Sequence, residues 1–375
     1  MKILVAGMLM ASGGAAVSAQ ADSAAFIIRL GTDTTAIERY VRSGNQLIAE
    51  VVSRSPATVL HRMAYSFDAR GRVSGTEYTQ RRPGESAPLV RTTIQFQGDS
   101  AIIETRQGAN PTRTQRMAAS DVIPIAGPFY TPYEIAVMRA LGGAGSATLL
   151  SGSSTPVIRV QRIGRDSVVL NNQFDEPMRA HIDTRGRLLH LHTPAYTTVE
   201  RMRWVDLDQF AREFAARDAA GKSMGNLSPR VTLRRRVGAA NLWLDYGSPR
   251  MRGRPVWGGL VPYGRLWRMG ANDAAHIATD RTLQIGTVTV QPGTYTLFLM
   301  PTTANEWQLV VNRASAISGL DHDAAQDIGR TALTLSPRAA PSEAFQIDIA
   351  PAQGAGGVLS ITWDRMTATV PIQVR

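Results

Sequence analysis

Cysteine is absent from this chain of 375 residues, and lysine is nearly so, occurring only as Lys2 and Lys222. The first absence excludes disulfides, thiol nucleophiles, thiolate metal sites and a lipid-modified cysteine. Stability must therefore come from buried apolar surface, which a chain of this length supplies in roughly two domains of ordinary size. Long hydrophobic runs are missing too. No segment after the N-terminus approaches the ~20 apolar residues of a membrane-spanning helix, so no transmembrane segment is expected in the mature chain. Dinucleotide and phosphate-loop motifs are lacking. Ser153 and Ser154 lie in Ser-Gly-Ser-Ser-Thr-Pro, without the strand-turn-helix setting of a nucleophile elbow.

What is present begins with Met1-Lys2, an apolar stretch from Ile3 to Met10, and small residues ending at Val17-Ser18-Ala19-Gln20-Ala21. One positive charge, a short apolar core and an Ala-x-Ala exit make residues 1–21 a secretory signal peptide. The mature chain is then expected to start at Asp22 or Gln20 and to be periplasmic or secreted. The formal net charge is +11, carried almost wholly by arginine; the one tight cluster is Arg234, Arg235 and Arg236. Export argues against a nucleic-acid partner. The charge reads either as affinity for anionic envelope surfaces or as a solvated strand face.

From Ala24 to Trp204, short alternating segments punctuated by turn residues predict an antiparallel β-meander over residues 22–205. Two hairpins repeat one device, Asp68-Ala-Arg-Gly71 and Asp183-Thr-Arg-Gly186. In each, glycine takes positive φ and aspartate caps the turn. Thr131-Pro-Tyr-Glu134 predicts a capping box opening a helix that runs to Leu141, with Gly142 as its stop. Such a helix plugs the concave face of a curved sheet, a layout resembling the half-open barrels of periplasmic lipoprotein carriers, and it would leave an apolar concavity beside Ile135 and Met138. Residues 206–228 read as a helix capped by Asp206, followed by a Gly221–Pro229 linker. Residues 229–375 alternate again, Leu242, Leu244 and Tyr246 against Trp243 and Asp245, and predict a β-sandwich. The expected fold class is mainly β.

The densest part of the sequence is Leu244-Asp-Tyr-Gly-Ser-Pro-Arg-Met-Arg-Gly-Arg254, then Gly258-Gly-Leu-Val-Pro-Tyr-Gly-Arg-Leu-Trp-Arg-Met-Gly-Ala-Asn272, then Pro292-Gly-Thr-Tyr-Thr-Leu-Phe298. With Trp307, Phe345 and Trp363, this run resembles the bacterial family catalogued as domain of unknown function 2911. The resemblance implies a fold rather than an activity. In that family the Trp-Arg-x-Gly-Ala-Asn segment is usually followed by an acidic residue and threonines; here Asp273 keeps the acid, while Ala275 and His276 stand where hydroxyls are common.

The candidate site consists of Asp245, Tyr263, Trp267, Arg268 and Asn272, read as lining a polar, aromatic-walled pocket for a sugar or anionic small molecule. The competing reading makes Trp257 and Trp267 core and sets the arginines on loop carbonyls and Asp245. No cofactor and no metal site are expected. Counting outward from the Asp183 hairpin pairs His181 with Leu189, which would put His181 on the opposite face from His190 and His192. Asp321-His322-Asp323 reads as a helix cap. The expected role is a non-enzymatic envelope-associated binding protein, with a glycan, a lipid or an anionic small molecule as partner. Its rivals are a glycan-acting hydrolase with a site near Asp245 and Arg268, which would need two carboxyl groups on one cleft, and a structural module of an envelope assembly, which would show a large exposed apolar patch.

Overall fold

A computed structural model describes residues 22–172, 177–320, 322–354 and 356–375. The expected signal peptide and the two candidate start sites at its end, Gln20 and the Ala21–Asp22 junction, lie outside or at the border of these residues. So does Asp321.

The chain starts as a meander of β1 (Asp22–Leu30), β2 (Asp33–Ser43), β3 (Gln46–Ser53), β4 (Val59–Phe67), β5 (Val73–Arg81), β6 (Val90–Gln97), β7 (Ser100–Gln107) and β8 (Arg113–Ala118). The short β9 (Val122–Pro124) leads into the helix α1 (Thr131–Arg139). A second meander returns through β10 (Ser146–Leu150), β11 (Val157–Arg162), β12 (Ser167–Asn171), β13 (Met178–Ile182), β14 (Leu188–His192) and β15 (Thr197–Met202). Pairing of β1 with β15 joins both arms into one 15-stranded sheet with β8 and β9 at its ends.

Alternation decides which face each residue takes. In β1, Ala24, Phe26 and Ile28 enter one core while Ala25 packs in another. The inner faces of both arms meet Ala136, Val137 and Ala140 of the helical segment in a single cluster, so the sheet curls around α1. Its two ends are closed by side chains: Ala101, Ala119, Val122 and Leu150 form a separate apolar cluster. Outside the roll, α2 (Leu207–Ala219) lays Leu207, Ala211 and Phe214 on Ala25, Ile37 and Val52. Asp206 caps α2 by accepting from the Gln209 N–H at 3.0 Å. Both Asp-Gly hairpins form as their chemistry requires: Asp68 accepts from the N–H groups of Arg70 and Arg72, Asp183 from those of Arg185 and Arg187, and Gly71 and Gly186 have φ of 75° and 80°.

The capping box of α1 does not form. Tyr130 is the N-cap and no side chain of the segment caps the helix. Glu38 of β2 does so instead, accepting from the Tyr130 N–H (2.7 Å), the Thr131 N–H (3.0 Å) and Thr131 Oγ1 (2.5 Å). Glu134, freed from capping, turns into the sheet. It accepts from Tyr40 Oη at 2.5 Å, Arg201 Nη1 at 2.6 Å and the Leu188 N–H at 2.7 Å. The inner space beside α1 thus holds a buried polar cluster, while Met138 is exposed and Ile135 packs on the core margin.

The C-terminal part contains β16 (Arg230–Val237), β17 (Ala240–Gly247), β18 (Ala275–Thr279), β19 (Leu283–Ile285), β20 (Val288–Val290), β21 (Gly293–Thr303), β22 (Glu306–Asn312), β23 (Asp327–Ala332), β24 (Thr334–Pro351) and β25 (Gly356–Val374). They form a six-stranded sheet, β16-β17-β18-β21-β22-β23, facing a four-stranded sheet, β20-β19-β25-β24. The inward residues Leu242, Leu244, Leu297, Leu299, Trp307, Ile347 and Trp363 make one core. Truncating either tryptophan, each 2% exposed, would cost about 3 to 5 kcal/mol.

Candidate functional site

The long motif of the sandwich serves three different places. Its first arginines reach the N-terminal domain. Arg252, buried, forms an ion pair with Asp33, and its carbonyl accepts from the Thr32 N–H at 2.9 Å. Arg254 donates from Nη1 to the Ala195 carbonyl at 2.9 Å and from Nε to that of Met251 at 2.9 Å. The approach is so close that a Cβ on Gly31, at φ 59°, would lie 2.0 Å from the Arg252 carbonyl oxygen.

The aromatic residues of the motif mostly enter the core. Trp267 stacks on Trp363 at 5.7 Å and meets Phe345 edge-on at 4.9 Å, while Trp257 sits 4.1 Å from Trp307. Tyr263 is exposed, its ring lying over Gly258. Arg268 is half-buried beneath the loop at Gly319, with Nη1 3.5 Å from the Ser318 carbonyl. Asn272 is exposed and occupies a left-handed turn, φ 67°. The end of β17 passes close to this loop: a Cβ on Gly247 would stand 2.1 Å from the Ala271 carbonyl oxygen.

Of the five candidate residues, Asp245 alone lines the cleft on the outer face of the six-stranded sheet, a space of about 500 Å³. Strand register explains its composition. Asp245 stands opposite His276, Trp243 opposite Ala278, and Ala278 opposite Thr294. Arg230, Asp273 and the loop at Ser315 and Ala316 complete the walls. Arg230 grips Asp245 in a fork, Nε to Oδ1 and Nη2 to Oδ2, both at 2.7 Å, and Thr232 Oγ1 adds a contact at 3.3 Å. Those hydrogen bonds and the guanidinium charge hold the Asp245 carboxyl below the usual range. Burial and the nearby guanidinium push His276 down, which favours the neutral imidazole. With Arg230 Nη2 3.5 Å from its Nδ1, the His276 proton belongs on Nε2, which is buried without a hydrogen-bond partner. The alternation of β17 announced that Trp243 and Asp245 share a face; Arg230 and His276 come from neighbouring strands and needed the register.

A second polar chain lies inside the N-terminal roll. Ser53 Oγ meets His61 Nε2 at 2.9 Å, and His61 Nδ1 meets Tyr78 Oη at 2.9 Å. Burial pushes His61 down to about 4. Ser53 and His61 are both buried, and Gly127 and Phe129 lie against the histidine.

The histidines of β13 and β14 stand differently from the simple hairpin count. A bulge places Ile182 opposite Leu188 but His181 opposite His190 and Arg179 opposite His192. One extra residue in a strand reverses every side chain beyond it. His181, His190 and His192 therefore share the outer face. Burial, then the neighbouring His181 and His192, lower the affinity of His190 for a proton. At the other motif-like string, Asp323 caps a short 3-10 turn by accepting from the Ala325 N–H, and His322 Nε2 contacts Asp327 Oδ1 at 2.8 Å.

These features define a mainly β protein in which a rolled antiparallel sheet is docked to a sandwich carrying a polar surface cleft. Residues 228–372 match the family described as "Protein of unknown function (DUF2911)", a stretch that spans the sandwich. No curated protein matches the chain. A beta-barrel-like protein of domain of unknown function DUF1849 from Brucella abortus is similar at 11% identity over 48% of this chain and 95% of its own, with a TM-score of 0.33. A solved receptor binding domain overlaps 95% of this chain and 88% of its own at 8% identity and a TM-score of 0.14. Overlaps this loose carry no structural argument.

Proposed function

We propose that the protein is an exported, envelope-associated binding protein that holds a small hydroxyl-rich ligand, such as a sugar unit, in the cleft of Trp243, Asp245 and His276. The observation that carries this reading is the meeting of an indole and a fixed carboxylate on the walls of one cleft. An indole offers a flat apolar surface to a sugar ring. A carboxylate already held by Arg230 accepts from hydroxyl groups. The N-terminal sequence, with its single positive charge, short apolar core and Ala-x-Ala exit, supports export.

The hydrolase reading has one observation in its favour: Asp245 and Asp273 line the same cleft. Arg230 already occupies both Asp245 oxygens in a fork at 2.7 Å, an arrangement that suits accepting from ligand hydroxyls more than donating a proton. The structural-module reading calls for a broad apolar patch. The exposed large apolar residues among those described, Met138, Ile163, Leu189, Trp204, Tyr263 and Leu320, are spread over separate elements, and the Arg39 guanidinium lies over Trp204 at 5.0 Å.

A panel of envelope-derived mono- and oligosaccharides, titrated while intrinsic fluorescence is recorded, tests the proposal. Binding should be saturable, should perturb indole emission and should disappear in Trp243→Ala with the melting temperature nearly unchanged. Absence of binding across the panel, or binding unaffected by Trp243→Ala, would overturn it.

A further inference from the structure

The corrected register of β14 brings together side chains on the outer face of the N-terminal sheet that the sandwich cleft does not use. Ser167 stands opposite His181, His181 opposite His190, and His190 opposite Glu200, a row running across β12, β13, β14 and β15. His192, two residues along β14, shares the face of His190. The rings of His181 and His190 have centroids 6.4 Å apart. Directly opposed residues of antiparallel strands carry their Cβ atoms ~5 Å apart, so a rotation about χ can turn one nitrogen of each ring onto a common point ~2 Å from both.

The surroundings favour imidazoles as donors. Ser167 Oγ lies 3.1 Å from His181 Nδ1, which orients that ring and leaves Nε2 for an ion, the arrangement by which partners beyond the ligands fix metal-binding histidines. Glu200 lies on the far side of His190 in the same row, and its carboxylate is held by Arg29 Nη1 at 2.8 Å in an exposed ion pair. Such a pair is weak and exchangeable. Among the described residues, no three histidine, aspartate or glutamate side chains already converge on one point, so the two imidazoles form the core of the site and Glu200 enters by changing rotamer.

We propose that His181 and His190 bind one divalent transition-metal ion of the class that prefers imidazole, such as zinc or nickel, with Glu200 as the next donor and water filling the remaining positions. Two opposed histidines on a rigid sheet suit this role because the backbone, not a loop, sets their separation. The site is independent of the ligand cleft on the sandwich and stands or falls separately from it.

Titrating the purified chain, without a polyhistidine tag, with zinc chloride and with nickel chloride by isothermal calorimetry tests the assignment. The expected result is one ion per chain, with saturation well below millimolar metal and a raised melting temperature. His181→Ala and His190→Ala should each abolish that binding, and Ser167→Ala, which frees the His181 ring, should weaken it about tenfold. Circular dichroism of each variant establishes that it folds, and His190→Gln replaces any alanine variant that does not. Absence of saturable binding, or binding that survives both histidine substitutions, would overturn the proposal.

Discussion

Glu38 should make the N-terminal domain less stable as pH rises, and Glu38→Gln should remove that dependence. The carboxyl is fully buried and accepts three hydrogen bonds at the start of α1. Those bonds favour the ionised form, but burial outweighs them, with a smaller push from the Glu134 charge, and the group rises from the ordinary 4.5 to about 7. An acid whose folded value exceeds its unfolded value binds its proton more tightly in the native state. Its stabilising effect is therefore complete below about 4.5 and is lost as pH rises through about 7. At 1.36 kcal/mol per pH unit, the span from 4.5 to about 7 corresponds to a loss of about 3 kcal/mol between pH 4.5 and pH 8. Glutamine keeps one accepting oxygen but turns an NH₂ towards a backbone N–H, costing about 1 kcal/mol at low pH. The variant should consequently be less stable than the wild type at pH 4 and equal to it or more stable at pH 8. Urea denaturation at both pH values, followed by circular dichroism and by hydrogen exchange of the α1 amides, measures this crossing. An unchanged stability difference between the two proteins across that range would refute the reasoning.

Three further substitutions probe the scaffold. Arg252→Ala should cost about 1 to 2 kcal/mol, because the buried guanidinium leaves a half-exposed Asp33 that water can solvate; urea melts measure the loss, and faster proteolysis within residues 221–229 should accompany it as the domains loosen. Gly247→Ala should cost about 2 to 4 kcal/mol in the same melts, since its methyl group would meet the Ala271 carbonyl oxygen, a backbone atom, at 2.1 Å. Arg268→Ala should leave saccharide binding intact, since Arg268 lies beneath the loop at Gly319 and not on the cleft walls; titration of the variant checks this, and loss of binding would return Arg268 to the ligand site.

Some of this protein follows from neighbours in sequence. The strands declare themselves by alternation, the Asp68 and Asp183 turns by an aspartate whose partners are two and four residues away, and α2 by Asp206 three residues before Gln209. These interactions span less than one turn of chain, so the residues that make them can be read together. The motif of the sandwich was legible as a dense set of glycines, arginines and tryptophans, but not where each would point. Tertiary structure sent Arg252 to Asp33 and Trp267 to Trp363, and left Asp245 on an outer face whose cleft depends on strands meeting in one register. It also gave the N-terminus of α1 to Glu38, 93 residues before Thr131, in place of the local capping box. A single bulge placed His181 beside His190, contrary to the two-residue period counted from their hairpin. Local chemistry decides conformations within a few residues; which side chains meet across the fold depends on register and docking, where a shift of one residue turns a strand over.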